Sequence, residues 1–169
     1  MNLFSIDVES DAASPSIGSM ISIGAVKISD LSCTYFTNMK PITNLYSKET
    51  LNFLHIDRKD QENYKDPKIA MISFYKWLTE NSDGRPTMIS DNPAFDWQWI
   101  NYYFHLCIGR NPLGYSARRI GDIYAGLGIG NSQWKKLYRK TKHTHNPLDD
   151  AMGNAEAVLT LINKFKVKL

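Results

Sequence analysis

The sequence predicts an α/β layered domain built on a mixed β-sheet. Three observations carry that prediction. Strand-like runs crowd the first part of the chain, helical periodicities take over after Asp66, and short strand-like runs separate those helices. Strands followed by helices alternating with lone strands give a sheet with both antiparallel and parallel pairs, flanked by helices.

The elements follow in order. Residues 3–8 read as a first strand and residues 20–28 as a second, the latter marked by Ile21, Ile23, Ala25 and Ile28. The Ala, Ser, Pro and Gly of residues 11–19 join them as a turn. Residues 34–39 supply a third strand. Ser47 stands where it can cap a short helix ending near Leu54. Asp66-Pro67 opens the next helix, because proline suits a first helical turn; its apolar marks are Ile69, Ile72, Phe74, Trp77 and Leu78. A short strand follows over residues 86–90. Asn92-Pro93 pairs a capping residue with proline at the first helical position, and Phe95, Trp99, Tyr102, Tyr103 and Leu106 follow at helical spacing. Residues 109–114, with a glycine at each end, break that helix. Residues 120–124 read as another strand and residues 132–139 as a basic helix. The last helix starts near Leu148, with Ala151, Ala155, Val158, Ile162 and Phe165 recurring at helical spacing.

A length of 169 residues is one domain's worth, here residues 1–169, and enough to bury a core. Apolar residues at 43% and charged residues at 22% exclude collagen-like and disordered classes. No run approaches the roughly 18–20 apolar residues of a spanning helix, so no membrane partner is expected. Residues 1–7 have no basic flank and no long apolar stretch, unlike a signal peptide. Cys33 and Cys107, neither in a CxxC, read as reduced thiols of a cytoplasmic protein.

Charge is unevenly placed. Asp7, Glu9, Asp11 and Asp30 face a single Lys27 within residues 1–32. Residues 110–143 carry Arg110, Arg118, Arg119, Lys135, Lys136, Arg139, Lys140 and Lys142 against one Asp122. A basic segment beside an acidic site suits an enzyme that holds a phosphate backbone and cuts it with cations; a solvated basic surface is the plain alternative.

Three clusters can carry chemistry. Asp7-Val8-Glu9 ends the first strand, where residues i and i+2 share a face. Two such carboxylates repel unless a cation lies between them, and oxygen ligands suit Mg²⁺ or Mn²⁺. A D-x-E is also an ordinary acidic strand end. Asp96 falls in the first turn of the helix begun by Asn92-Pro93, where open α/β sheets place ligands and where the helix dipole favours an acid in any case. Asp91 reads as a turn or cap residue. His145-Asn146-Pro147-Leu148-Asp149-Asp150 puts Asp150 at the start of the last helix and His145 on the loop before it. An imidazole there is suited to take a proton from water, or it is simply a loop histidine; His143, two residues away, is expected to have no role.

The ordered set D-x-E, N-x-x-F-D and H-x4-D resembles the DEDD superfamily of 3′→5′ exonucleases, in its histidine-containing branch. The resemblance covers Ile6-Asp7-Val8-Glu9-Ser10, residues 21–26, Asn92-Pro93-Ala94-Phe95-Asp96 and residues 145–151. It is nearest to the short RNase AS-like, RNase T-like and phage members, which suggests a bacterial or phage origin. It implies an RNase H-like fold with a mixed central sheet. It implies that Asp7, Glu9, Asp96 and Asp150 hold two Mg²⁺ or Mn²⁺ ions, with Asp7 bridging, and that His145 is the general base. The expected reaction releases nucleoside 5′-monophosphates from the 3′ end of single-stranded RNA or DNA.

Around that centre, Ser10 is expected near the terminal 3′-hydroxyl, Trp97 is a candidate base-stacking residue with core packing on its helix as the favoured alternative, and Arg118 and Arg119, with Lys135 and Lys136, are candidates for upstream phosphates. Several relatives form homodimers, so the resemblance admits one here. The chain departs from the family at Ser10, where threonine is common, at Asp11-Ala12, where a glycine is expected, and at Pro147, where alanine is usual. The alternatives are an RNase H-like endonuclease, a non-catalytic nucleic-acid binding module and, with no cysteine nearby to assist, a zinc site on His143 and His145.

Overall fold

The computed structural model describes residues 1–130 and 132–169. Five strands, β1 (Leu3–Ser10), β2 (Met20–Lys27), β3 (Asp30–Asn38), β4 (Thr87–Ser90) and β5 (Ala117–Arg119), form one sheet in the order β3-β2-β1-β4-β5. β2 runs antiparallel to β1 and β3, while β1, β4 and β5 are mutually parallel. This is the mixed sheet the sequence predicts. The helices are α1 (Lys48–Leu54), α2 (Pro67–Glu80), α3 (Pro93–Ile108), α4 (Ile120–Gly126), α5 (Gln133–Tyr138) and α6 (Pro147–Asn163).

The sheet separates two apolar layers. On one side Phe4, Ile6 and Val8 of β1 meet Phe74 of α2 and Trp99 and Phe104 of α3. On the other, Leu3 joins Ile120, Tyr124, Ala155, Val158 and Leu161 from α4 and α6. Alternation along β1 therefore sends Asp7 and Glu9 to the α6 side. Burial on both faces explains why β2 reads as an almost continuous apolar run.

Of the two predicted caps, Ser47 and Asn92, the structure shows the first, and Asp66 supplies a further one. Ser47 accepts from the Thr50 N–H at 3.1 Å, and Asp66 accepts from Lys68 and Ile69. Asn92 precedes α3 as expected, but its side chain caps nothing; its own N–H donates to the Ser90 hydroxyl instead.

Several expectations need correction. Residues 120–124 are helix α4, not a strand; the pairing strand is the preceding Ala117–Arg119, and Ile120 and Tyr124 are buried at i, i+4. β3 begins at Asp30, four residues early. On α2 the buried stripe is Ala70, Met71, Phe74 and Leu78, while Ile69 and Ile72 are exposed. On α3 it is Trp99, Ile100, Tyr103 and Phe104, while Tyr102 and Leu106 are exposed. Periodicity locates a stripe, but a one-residue change of phase turns it by about 100°, and only the packing partners choose the phase.

Candidate active site

The carboxylates of Asp7, Glu9 and Asp150 meet where the end of β1 faces the start of α6. One ligand oxygen from each lies within 4.8 Å of the others. Among the described residues, no hydrogen-bond donor satisfies the Asp7 carboxylate, and Glu9 has only the His145 ring, 3.8 Å from its Oε1. Burial, then the charges of Asp96, Asp150 and Glu9, pushes Asp7 well above the ordinary carboxylate range. Burial, then Asp150 and Asp96, pushes Glu9 up to about 8. Crowded carboxylates short of donors are what a hard divalent cation neutralises. The residues present fit such an ion.

Asp96 reaches the same field from α3. Its Oδ1 accepts the Val8 N–H at 3.2 Å and its Oδ2 accepts the Ser90 hydroxyl. Burial raises Asp96 to about 7, while these two bonds hold the rise down. Residues from β1 and β4 thus aim a carboxylate supplied by the helix after β4.

Asp150 is held most tightly. Its Oδ1 accepts from Arg139 Nη2 at 3.0 Å and from the Thr144 N–H at 3.3 Å, and lies 2.7 Å from His143 Nδ1. Its Oδ2 accepts the His145 N–H at 3.1 Å. The Arg139–Asp150 pair is buried, with side chains 6% and 1% exposed. Gly153 makes room for it, since a Cβ there would lie 2.4 Å from Arg139 Nε. His145 adopts a left-handed backbone, φ 59. That bend lets its amide serve Asp150 while its ring turns to Glu9 and packs edge-on against Phe53 at 4.6 Å.

Pro147 is the first residue of α6, and Asn146 caps the helix by accepting from the Leu148 N–H. The stiffened loop ends where a helix must begin.

A cleft of about 310 Å³ adjoins the carboxylates, lined by Glu9, Ser10, Ala12, Ala13, Thr50, Phe53, Leu54, Phe95 and His145. Phe53 and Phe95, not Trp97, supply its aromatic surface; Trp97 packs on the α2–α3 core layer. Ser10 lines the cleft, but its hydroxyl is buried and donates to the Ala12 carbonyl at 2.7 Å.

The basic candidates disperse. Arg118 pairs with Ile89 and borders a small cavity with Met1, Asn2, Leu3 and Leu169, at the opposite end of β1 from Asp7 and Glu9. Arg119 binds Asp122 at 3.0 Å and the Asp91 carbonyl at 3.3 Å, and Lys135 is paired with the Asp91 carboxylate. Asp91 thus ties the β4–α3 loop to β5 and α5, rather than serving only its own turn. Sequence reasoning missed Phe53 and the contact of Arg139 with Asp150, and gave His143 no role outside the alternative zinc site. A glycine three residues after Asp150, inside a strongly periodic helix, was the signal that something approaches closely there. Nothing local marks the other two.

No family model matches the chain. It is 31% identical over 182 residues to the 3′-5′ DNA exonuclease Cap18 of Escherichia coli, across 97% of this chain and 92% of that protein. Among solved structures it resembles the nuclease domain of 3′hExo, a DEDDh family member bound to rAMP, with TM-score 0.75, 14% identity and coverage of 96% of this chain and 92% of that one. It also resembles Exonuclease X in complex with 5′ overhanging duplex DNA, with TM-score 0.67, 15% identity and coverage of 98% and 94%. E. coli Exonuclease I bound to a dT13 oligonucleotide gives TM-score 0.71 at 9% identity, over 97% of this chain and 41% of that one. The architecture is RNase H-like.

Proposed function

The chain belongs to the histidine-containing DEDD family of 3′–5′ exonucleases, and from that premise we propose that it removes nucleoside 5′-monophosphates from the 3′ end of single-stranded nucleic acid, DNA first, at the Asp7–Glu9–Asp96–Asp150 cluster. The observation that carries this reading is the meeting of Asp7, Glu9 and Asp150 oxygens within 4.8 Å. DNA is put first because the 31% identical relative is named a DNA exonuclease.

In this reading Asp7, Glu9, Asp96 and Asp150 hold two Mg²⁺ or Mn²⁺ ions. When bound, these ions neutralise charge on the phosphate, activate the attacking water and stabilise the leaving oxygen. The protein's own residues do the rest. Ser90 and the Val8 amide aim Asp96; Arg139 and the Thr144 and His145 amides aim Asp150. His145 takes the proton of the attacking water. Its left-handed backbone costs on the order of 1–3 kcal/mol, strain of the kind that collects at functional sites, and the packing of its ring on Phe53 favours a single orientation.

The terminal base enters the cleft between Phe53 and Phe95, where stacking contributes about 1–3 kcal/mol without reading sequence. Ser10, with its hydroxyl engaged by Ala12, contributes to the wall of that cleft and offers an acceptor to the terminal 3′-hydroxyl. The test is digestion of matched 3′-labelled single- and double-stranded DNA and RNA with Mg²⁺ or Mn²⁺, beside a circular single strand. Mononucleotide release from the linear single strand and none from the circle is the expected result. Cutting of the circle would mark an endonuclease, and metal-independent binding without release would mark a non-catalytic module.

A further inference from the structure

We propose that His143 and His145, with Asp150 and Glu9, form a nitrogen-bearing site for a borderline cation, zinc above all, which overlaps the catalytic carboxylates and shuts the enzyme when filled. One ring nitrogen from each histidine and one Asp150 oxygen lie within 4.8 Å of one another. The two rings meet edge-on with centroids 4.4 Å apart. His143 Nδ1 is 2.7 Å from Asp150 Oδ1, and His145 Nδ1 is 3.8 Å from Glu9 Oε1. Nitrogen and oxygen ligands about 2.0–2.1 Å from a tetrahedral zinc stand roughly 3.3 Å apart, so modest side-chain rotation closes this set. Both rings are reachable, with side chains 55% and 40% exposed.

The donor chemistry separates the two kinds of ion. Mg²⁺ takes oxygen ligands and keeps its waters, whereas imidazole nitrogen suits zinc. The carboxylate-only cluster and the histidine-bearing one share Asp150, and Glu9 of the first lies 3.8 Å from the His145 ring of the second, so they compete. Arg139 opposes the second ion at Asp150 Oδ1, but Oδ2 carries only the His145 N–H and faces the loop. Filling the histidine site removes the ring that takes the water's proton and draws Asp150 and Glu9 from their catalytic partners. The inhibitory consequence rests on the exonuclease reading; the binding itself does not.

The experiment strips the full chain with a chelator and titrates zinc by calorimetry in excess Mg²⁺. In parallel it measures nucleotide release against zinc concentration, each variant referred to its own zinc-free rate. We expect one zinc site, with affinity and half-inhibiting concentration both weakened at least tenfold in His143→Ala. Lys142→Ala, a neighbour that offers no ligand atom, should match the parent chain. No zinc binding, or equal binding in His143→Ala, overturns the site, as does an equal loss in Lys142→Ala. Binding lost in His143→Ala with inhibition unchanged overturns the regulatory claim. Zinc binding that depends on His143, on a chain that releases no nucleotide, upholds the site and overturns the exonuclease reading.

Discussion

Gly24 of β2 and Pro147 of α6 are in backbone contact: a β-carbon added to Gly24 would lie 2.1 Å from the Pro147 carbonyl carbon and 2.2 Å from the Leu148 nitrogen. Gly24 is also the cross-strand partner of Asp7. The missing side chain therefore sets how deeply α6 sits on the sheet, and with it how near Asp150 comes to Asp7. Gly24→Ala should lift the helix start, cost about 1–3 kcal/mol of stability and lower the rate on the order of 10²-fold, the scale of a 1 Å misplacement. Thermal unfolding and single-turnover release of a 3′-labelled oligonucleotide check this; a variant with parental rate would show that the contact does not set the site.

Asp7 and His145 should fail differently. Asp7→Asn removes a carboxylate from the centre of the cluster and should abolish activity together with divalent-cation binding. His145→Ala should retain Mg²⁺ binding and lose roughly 10²- to 10⁴-fold in rate, the usual contribution of a base. Cation titration by calorimetry beside the kinetic assay separates the two. Loss of Mg²⁺ binding in His145→Ala would assign the ring a ligand role at the catalytic ions.

The raised carboxylates give the cation-free protein a pH-dependent stability. A carboxylate raised on folding binds more protons in the folded state. Its contribution is whole below the ordinary value of 4.5 for Glu9 and is lost as pH rises through about 8. Asp96, raised to about 7, acts in the same direction. The melting temperature of cation-free protein should drop by roughly 5 °C or more between pH 5 and pH 8. Added Mg²⁺ should recover most of that drop at pH 8 and little at pH 5, because the ion binds the ionised form. A flat cation-free profile over this range would contradict the raised values.

Arg139 compensates the buried charge of Asp150, 3.0 Å from its Oδ1. Arg139→Met should cost about 3–5 kcal/mol, because Asp150 is left buried without its partner. Saturating Mg²⁺ should restore part of that loss, since the ion takes over the compensation. Urea unfolding with and without Mg²⁺ measures both quantities. Equal losses in the two conditions would place the effect in packing against Gly153 alone.

Removing the ring of Phe53 should weaken the grip on the terminal nucleotide. Phe53→Ala is expected to raise KM by roughly tenfold, within the 1–3 kcal/mol of one stacked base, and to leave the salt dependence of binding unchanged. Trp97→Ala should instead lower stability, because that ring packs on the core. Steady-state kinetics at two salt concentrations and thermal unfolding distinguish these outcomes.

Much of this molecule was legible in the linear chain. Period two along β1 put Asp7 and Glu9 on one face, and the Pro93 and Pro147 helix starts put Asp96 and Asp150 in first turns, because these are properties of a few adjacent residues. The short run after Arg119 misled, because a buried Ile and Tyr four apart look alike in a strand-sized window and in a helical turn. The faces read for α2 and α3 are partly wrong for a related reason: both helices carry apolar residues on more than one side, and only packing selects which are covered.

Tertiary structure alone decided what surrounds each carboxylate. Arg139 stands eleven residues before Asp150 and reads as one more surface cation until Gly153 lets it enter the core. His143 gains its place by a loop that turns at His145, and Phe53 arrives from a helix more than ninety residues away. Local patterning determines which side chains a strand or helix turn presents. The separation of charges in space, and the solvent removed from between them, depend on how whole elements pack.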